Sequence, residues 1–593
     1  MIINIEQQIR TACAAAVKEL YNADMEAASI AVERTNKDQI GDYTVVVFPL
    51  LRVSKKKPEE TANDLGAYLQ ANVPQVSGFS VIKGFLNLSL TDSFWIETLG
   101  SALHNHEYGK GTPTGQKITV EYCGPNTNKP LHLGHIRNML LGYSVASILE
   151  FAGNEVSKVN IYNDRGIAIC KSMLAWQQFG NGETPESSGI KGDHLVGKYY
   201  VVFDKKYKEQ VEQLKAEGLT EDEAKKKAPI QLEVQAMLLK WEAGDAETIA
   251  LWEQMNDWVY AGFQVTFDKM GVDFDRDYFE SETYLLGRDL VLEGLASGVF
   301  FKKEDGSIWV DLTDKGLDQK VLLRSDGTSV YLTQDLGTAD LRYDHYHMDR
   351  NVYVVADEQN YHFKVLQLTL EKLRKPYAAG IYHLSYGLVE LPHGRMKSRE
   401  GNVVDADDLI QELVAAAKAQ TLELGKLENP ESEEAEELFR TIGMGALKYF
   451  MLRVDPKKKM LFNPEESIDL QGQTGPFVQY SYARIQSIKT KVGDIKIELP
   501  TKYALSPLEK EVLIELYQYP AVIQESARNF DPSVVASYTY NLAKTFNKFY
   551  VDHSIANAET PEAKHLRLGL ADLTAKVLAG AFKLLGIDVP ERM

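Results

Sequence analysis

The chain has few cysteines, no long apolar run and no repeated or low-complexity segment. Its 593 residues include three cysteines, Cys13, Cys123 and Cys170, and no C-x-x-C pair. A disulfide scaffold is therefore excluded, and the missing pair argues against a zinc–cysteine site. No apolar run reaches the ~18 residues of a transmembrane helix. The first residues carry Glu6 and helical periodicity, so we expect no secretory signal and no membrane attachment. These features together predict a reduced, cytoplasmic protein.

Composition is otherwise that of an ordinary globular protein, with 44% apolar and 25% charged residues. The length suggests about four domains. The net charge of -19 argues weakly against nonspecific nucleic-acid binding. Residues 471–593, however, carry 14 Lys and Arg against 13 Asp and Glu, a net of +1, which leaves -20 for the rest. This segment either faces a polyanion through a clustered basic face or is a solvated helical surface.

Residues 1–110 have the pattern of a small α/β unit, followed by a linker at 104–116 that is rich in glycine and turn formers. The expected elements are a helix over 3–21, a β-rich stretch over 41–51, a helix over 58–70 and a strand over 81–90.

A β-α-β pattern follows the linker. It consists of a strand at 117–123, a helix that runs to about residue 152 and stops at Gly153, and a strand at 155–163. Such a unit implies a parallel sheet with a right-handed crossover. Residues 175–265 break the pattern with a turn-rich patch and a charged helical stretch, which we interpret as an insertion. Strand–helix alternation resumes at 328–341, 351–375 and 381–391, and beyond about residue 430 the chain is predicted to be helical.

Two histidines stand at the junction between the strand and the helix of that unit. His132 and His135 flank Gly134, with Lys129 just before them. A helix start offers free N–H groups and the positive end of the dipole, so it favours an anion, and imidazoles there can donate to phosphate oxygens. The alternative is a pair of surface or capping histidines. The absence of nearby Cys, Asp or Glu ligands argues against zinc.

The strand, loop and helix around residues 130–135 resemble the HIGH signature of class I aminoacyl-tRNA synthetases. The segment 395–399, Arg-Met-Lys-Ser-Arg, resembles their second signature, KMSKS, although alone it would suit a basic surface turn. Among these enzymes the chain most resembles the arginyl-tRNA synthetase family over nearly its whole length. The matching segments lie in the expected order at 41–51, 84–90, 121–138, 325–344, 395–404, 477–488 and 584–593.

The resemblance implies a multidomain α/β protein whose catalytic domain has a class I Rossmann-like parallel sheet with an insertion. The implied domains are an N-terminal additional tRNA-binding α/β domain (1–110), the catalytic domain (111–395, insertion at about 175–265), a signature-loop and stem-contact region (396–465) and an all-α anticodon-binding domain (466–593). The implied activity is ATP-dependent ligation of L-arginine to tRNA(Arg) through arginyl-adenylate by a monomer. ATP is then a substrate, with Mg²⁺ expected to accompany it and no dedicated protein metal site.

The family's arginine pocket maps onto five residues here. By resemblance, Tyr331 and Asp335 hold the guanidinium, Glu121 and Asn126 hold the amino and carboxylate ends or line the pocket, and Gln359 is a pocket glutamine. A carboxylate suits the five donors of a guanidinium. Alone, Asp335 could be a charge at a helix start and Tyr331 a core aromatic.

ATP binding and catalysis map onto the two signatures. The implied ATP-binding residues are Lys129, His132, Gly134, His135, His362, Met396, Lys397 and Ser398, of which Lys129, His132, His135 and Lys397 are the catalytic candidates. The sequence departs from the family pattern twice. The second KMSKS lysine is absent, so Lys129 or Lys397 would supply that charge, and Arg165 stands where the family usually has Trp.

Contacts with tRNA are expected in both terminal domains. Aromatic residues alternate with cations in the C-terminal domain, which suits stacking on unpaired bases, although most aromatics at helical spacing belong to the core. The candidates are Tyr480, Arg484, Lys544 and Lys548, with Phe477, Tyr482, Phe546, Phe549 and Tyr550 around them. In the N-terminal domain, Asn87 and the run 55–57 are the implied contacts, although such a run is more often a solvated loop.

Two other functions remain open on the sequence. One is another class I synthetase or a HIGH-type nucleotidyltransferase that acts on a small acid. The other is a non-catalytic tRNA-binding relative whose signature loop has decayed.

Overall fold

The computed structural model describes residues 4–36, 38–390, 404–423, 425, 427, 429–493 and 495–593. Met396, Lys397 and Ser398 of the predicted signature loop lie outside these residues. No helix in the described part of the chain has the length and apolar character needed to cross a membrane.

The N-terminal unit is an antiparallel sheet, in the order β1-β2-β4-β3, with helices packed against it. Its elements are α1 (Ile5–Tyr21), β1 (Val32–Arg34), β2 (Tyr43–Val46), α2 (Leu51–Ser54), α3 (Pro58–Asn72), β3 (Val76–Ile82), β4 (Phe85–Leu90) and α4 (Asp92–Leu103). The single strand predicted over 81–90 is wrong. Lys83 and Gly84 both have positive φ and form a two-residue turn, so the segment spans a hairpin.

A parallel sheet in the order β12-β11-β5-β6-β7 forms the centre of the catalytic region, as expected from the β-α-β pattern. Its elements are β5 (Lys117–Glu121), α5 (Leu133–Phe151), β6 (Glu155–Tyr162), β7 (Arg276–Phe279), β11 (Arg350–Ala356) and β12 (Ile381–Tyr386). Helices cover both faces, so the middle of β5 and β11 is apolar and buried. The chain leaves β5 and β11 in opposite directions along the sheet, which places a crevice at their carboxyl ends.

Helices occupy the connection between β6 and β7, where the sequence predicts an insertion. They are α6 (Ile167–Phe179), α7 (Pro185–Ser188), α8 (Gly192–Ala216), α9 (Glu221–Lys227), α10 (Pro229–Glu242) and α11 (Ala246–Met270).

A small antiparallel sheet and four helices lead from β7 to β11 and then to β12. The elements are α12 (Glu280–Thr283), α13 (Gly287–Ala296), β8 (Phe301–Lys302), β9 (Ile308–Val310), β10 (Lys320–Leu323), α14 (Tyr331–Tyr346) and α15 (Asn360–Lys372). The strand expected to begin near residue 328 is wrong, because α14 begins at Tyr331 and Ser329 forms only an isolated bridge with Leu323.

The remainder is helical apart from one short strand pair. The elements are β13 (Val389–Glu390), α16 (Ala406–Glu423), α17 (Glu433–Leu452), β14 (Met460–Leu461), α18 (Pro464–Ser467), α19 (Gly475–Val492), α20 (Pro507–Asn529), α21 (Pro532–Asp552) and α22 (Pro561–Leu584). The predicted linker packs on this part, because buried Tyr108 donates to the carbonyl of Leu516 at 2.8 Å.

Candidate active site

His132 and His135 form the N-terminal cap of α5 at the carboxyl end of β5. The N–H of Gly134 donates to His132 Nδ1, and the N–H of His132 donates to His135 Nδ1, each at 3.1 Å. The ring centroids lie 3.9 Å apart. A Cβ at Gly134 would lie 3.0 Å from His132 Cε1, so glycine leaves room for the ring.

Both rings are held neutral. Burial, and then the charge of Lys129, lower the pKa of His132 to about 4. Burial lowers the pKa of His135 well below its usual value, with His132 and Lys129 adding to the effect. Because each Nδ1 accepts a backbone N–H, the proton of each neutral ring is at Nε2. The junction therefore offers two neutral Nε2–H donors and one ammonium group to an anion.

The segment that follows the signature-loop positions is fixed against this junction. The N–H of Leu133 donates to Val404 O at 2.9 Å, and the N–H of Ala406 donates to Leu131 O at 3.0 Å. Asp405 forms an isolated bridge with His132.

A network of ion pairs ties the same segment to the insertion. Asp407 accepts from Lys191 Nζ at 2.5 Å and from Lys269 Nζ at 2.9 Å. His194, Asp405 and Asp407 offer ligand atoms within 4.8 Å of one another, a metal-like arrangement. The two ammonium groups already neutralise Asp407, and His194 lies 3.4 Å from that carboxylate. We interpret the cluster as a structural network that holds residues 405–407.

The candidate arginine-binding residues surround the crevice between β5 and β11. Tyr331, the first residue of α14, is 76% exposed. Asp335 lies one turn later and accepts from His362 Nε2 at 2.5 Å. Asn126 and Gln359 are exposed on the loops after β5 and β11. The structure thus brings these residues to one edge, and it pairs His362, expected to bind ATP, with the candidate specificity carboxylate.

Glu121 has a partner that the sequence did not reveal. Its carboxylate forms an ion pair with Arg342, whose side chain is 1% exposed. Burial acts to lower the pKa of Arg342, but Glu121, Tyr353 and Tyr278 together outweigh it and raise that pKa, while burial raises the pKa of Glu121. Glu121 can therefore contact a ligand only with the oxygen lone pairs that Arg342 leaves free. Arg342 lies seven residues after Asp335 on α14. That spacing places both on one helix face, so the sequence could have indicated that Arg342 also lies at the crevice.

Two further residues at the crevice are not among the candidates predicted from the sequence. Asn138 of α5 accepts the N–H of Cys123 at 2.6 Å and donates to Val354 O at 2.8 Å, so it joins the ends of β5 and β11. In the sequence, Asn138 could have been recognised as a polar amide on an otherwise largely apolar helix. Glu280 follows β7, and burial raises its pKa to about 7, with the charge of Asp335 contributing. It is a third carboxyl group at this edge.

Arg165 takes the place of the usual aromatic residue by stacking. Its guanidinium carbon lies 3.6 Å from the ring centroid of Tyr284 and 5.2 Å from that of Trp241. Its Nη2 lies 3.2 Å from Glu242 Oε1. The planar guanidinium therefore packs between aromatic rings and also joins α10 to the residues after β7.

The candidate tRNA contacts differ in exposure. The Asn87 assignment is wrong as a surface contact, because this residue is 0% exposed and its amide pairs with Thr44 and Gln39. Lys544 and Lys548 are exposed, and Arg484 stacks over Tyr480 at 4.9 Å.

The aromatic residues around those cations belong largely to the core. Phe546 and Phe549 are 0% exposed, and Tyr482 is 8% exposed and donates to Glu591 at 3.2 Å. The alternative of core packing therefore describes these three residues.

Three family models match consecutive parts of the chain. The Arginyl tRNA synthetase N terminal domain matches residues 4–90, the catalytic domain of tRNA synthetases class I (R) matches 98–463, and the DALR anticodon binding domain matches 478–593. The chain belongs to the arginyl-tRNA synthetase family. The family resemblance and the fold class predicted from the sequence are thus confirmed.

Relatives of this family match the chain over its full length. The arginine–tRNA ligase of Parabacteroides distasonis is 53% identical over 99% of this chain and all of its own. That of Bacteroides thetaiotaomicron is 52% identical over the whole of both chains. Among solved structures, Thermus thermophilus arginyl-tRNA synthetase has a TM-score of 0.80 at 25% identity and covers 99% of this chain and all of its own.

Proposed function

We propose that the chain ligates L-arginine to tRNA(Arg) in two steps. An arginine carboxylate oxygen attacks the α-phosphate of ATP, which forms arginyl-adenylate and releases pyrophosphate. The terminal ribose hydroxyl of the tRNA, at the 2′ position by class I precedent, then attacks the activated carbonyl and releases AMP. The observation that carries this proposal is the full-length identity of about half with arginine–tRNA ligases.

The first step needs no protein nucleophile. Its barrier is lowered by positioning the two reactants and by stabilising charge on the phosphate oxygens. We assign the second role to the Nε2–H groups of His132 and His135, to Lys129 and to the N-terminus of α5 above Gly134. Removal of one such donor typically costs about 10²–10³-fold in rate. The proposed ATP-binding positions Met396, Lys397 and Ser398 complete the set.

Recognition of arginine is assigned to the crevice edge. Asp335 and Tyr331 face the guanidinium, Glu121 and Asn126 serve the amino acid's other end, and Gln359 lines the pocket. The exposed Tyr331 and the accessible, His362-paired Asp335 support this assignment, since a ligand can reach both.

We further propose that ATP enters as its Mg²⁺ complex, and that the enzyme acts as a cytoplasmic monomer. The predicted domains, divided near residues 110, 395 and 465, remain our proposal for which parts contact tRNA. Tyr480, Arg484, Lys544 and Lys548 are the proposed contacts in the C-terminal domain.

The test is charging of tRNA with radiolabelled arginine and, separately, lysine, with ATP–pyrophosphate exchange measured with and without tRNA. Charging with arginine alone is expected. A folded protein that binds tRNA without charging it would instead support the non-catalytic relative.

A further inference from the structure

The chain contains three Lys-Lys-Lys runs, at 55–57, 225–227 and 457–459, and the structure separates them. In the first, Lys56 pairs with Asp64 at 2.6 Å. In the second, Lys225 pairs with Glu221 at 2.6 Å on a helix that begins Glu-Asp-Glu. The third is exposed, and none of the ion pairs among the described residues includes its lysines. Among the described residues, Lys457–Lys459 is therefore an exposed cluster without an ion-pair partner, on a chain of net charge -19.

The backbone of this third run is rigidly held by the HIGH-like helix. Arg137 of α5, which is fully buried, donates to Gly387 O at 2.8 Å, to Pro456 O at 3.2 Å and to Lys458 O at 2.9 Å. The N–H of Gly387 donates to Pro456 O at 2.9 Å. A Cβ at Gly387 would lie 2.6 Å from Lys459 N, so only glycine allows this approach.

Strand pairing fixes the turn from the other side. Val389 and Glu390 pair in parallel with Met460 and Leu461. Gly387 directly follows the carboxyl end of β12, at the sheet edge that carries the site. Arg137 lies five residues beyond His132, roughly 7 Å along the helix axis. The backbone that carries the three exposed lysines is therefore held beside the site.

We propose that Lys457, Lys458 and Lys459 bind the phosphate backbone of the tRNA acceptor end as it enters the site. This inference rests on the proposed function, in which the terminal ribose must reach the activated carbonyl at this sheet edge. Phosphate groups of the acceptor strand then pass close to the turn. The lysines could in principle bind the phosphate groups of ATP instead, but those are assigned to the N-terminus of α5.

The experiment compares Lys457→Gln/Lys458→Gln/Lys459→Gln with a control, Lys225→Gln/Lys226→Gln/Lys227→Gln, which removes the same charge from the insertion. Arginine charging is measured against tRNA, ATP and arginine concentration at several salt concentrations. We expect the first variant to raise the KM for tRNA about tenfold or more. Its dependence of log(kcat/KM) on log[salt] should be shallower by about 2–3, since each lost phosphate contact contributes about 0.7–0.9. The KM values for ATP and arginine should stay within twofold, and the control should match the wild type.

An unchanged KM for tRNA, or an equal effect in the control, would overturn the proposal. A raised KM for ATP would also overturn it, because the lysines would then bind the ATP phosphates instead of tRNA. A minihelix that carries only the acceptor stem gives a second readout. Its charging should fall by the same factor as that of whole tRNA, and an effect limited to whole tRNA would place the contact elsewhere and refute the assignment. Failure of the proposed function is distinct, because the wild type itself would then charge no tRNA.

Discussion

His362 Nε2 lies 2.5 Å from Asp335 Oδ2, so the candidate specificity carboxylate already has a partner in the protein. Burial acts to lower the pKa of His362, but the hydrogen bond and charge of Asp335 outweigh it and raise that pKa above its usual value. A bound guanidinium would need the same carboxylate. In the free protein, His362 and the substrate therefore compete for Asp335.

This competition predicts a pH-dependent KM for arginine. Above the raised pKa of His362 the ring is neutral and its pair with Asp335 weakens, so the KM should fall as the pH rises through that value. Below the pKa of His362, the KM for arginine can change by at most about tenfold per pH unit, because one proton is released. Steady-state charging of His362→Gln should show no such slope, and a slope that persists in this variant would refute the competition.

Asp335→Asn should abolish most arginine recognition without unfolding the protein. The side chain is partly exposed, and its ion-pair partner among the described residues is His362, so its loss leaves no buried charge. We expect kcat/KM for arginine to fall about 100-fold or more, in line with the roughly 2–5 kcal/mol lost when one partner of a charge pair is removed. Asp344→Asn, an exposed change on the same helix, is the control. Equal kinetics in the two variants would remove Asp335 from the pocket.

Arg342→Met should destabilise the fold through Glu121. The substitution leaves a carboxylate buried by the sheet without its partner, which typically costs about 3–5 kcal/mol. Chemical denaturation measures the change. Adding Glu121→Gln should restore part of the lost stability, because the unpaired charge is then gone, and no recovery would indicate that packing of Arg342 dominates.

The Asp407 network predicts a pH-dependent stability. Burial favours a higher pKa for Asp407, but the nearby His194 and the hydrogen bonds from Lys191 and Lys269 lower it, so its contribution is present above about pH 4 and is lost as the pH falls through the lowered value. The pKa of His194 is raised because the nearby carboxylates of Asp407, Asp193 and Asp405 together outweigh burial. Its contribution is present below about pH 6.5 and is lost as the pH rises through the raised value.

Thermal unfolding of Asp407→Asn as a function of pH measures the contribution of this network to stability. The fall in Tm relative to the wild type should be largest between about pH 4 and pH 6.5 and smaller at higher pH, where the share of His194 is gone. Exposed Asp408 provides the matched control, and Asp408→Asn should change Tm little. A Tm difference that does not vary with pH would contradict the role of His194.

Arg165→Ala should cost about 1–2 kcal/mol of stability, since it loses the stacking on Tyr284 and a partly exposed ion pair with Glu242. Arg165→Trp should retain more of the packing. Urea denaturation of the two variants tests whether stacking is the main contribution of Arg165 to stability. Equal destabilisation of both variants would contradict that role.

The sequence alone determined the family, the order of the domains and the helices with strong periodicity, because these depend on local patterns. The chain beyond about residue 430, for example, is predicted to be helical, and it forms α17 and α19. His132, Gly134 and His135 were placed at a helix start for the same reason, since a cap depends on neighbouring residues.

Tertiary structure decided which side chains face one another. Glu121 and Arg342 are 221 residues apart in sequence, and only the parallel pairing of β5 with β11 and the packing of α14 bring them together. Likewise, the buried environment of Asn87 comes from its strand neighbours, and the backbone of Lys457–Lys459 is held by Arg137, which is 321 residues from Lys458 in sequence. Burial and ion pairing are set by contacts that are long-range in sequence, so local pattern could not predict them.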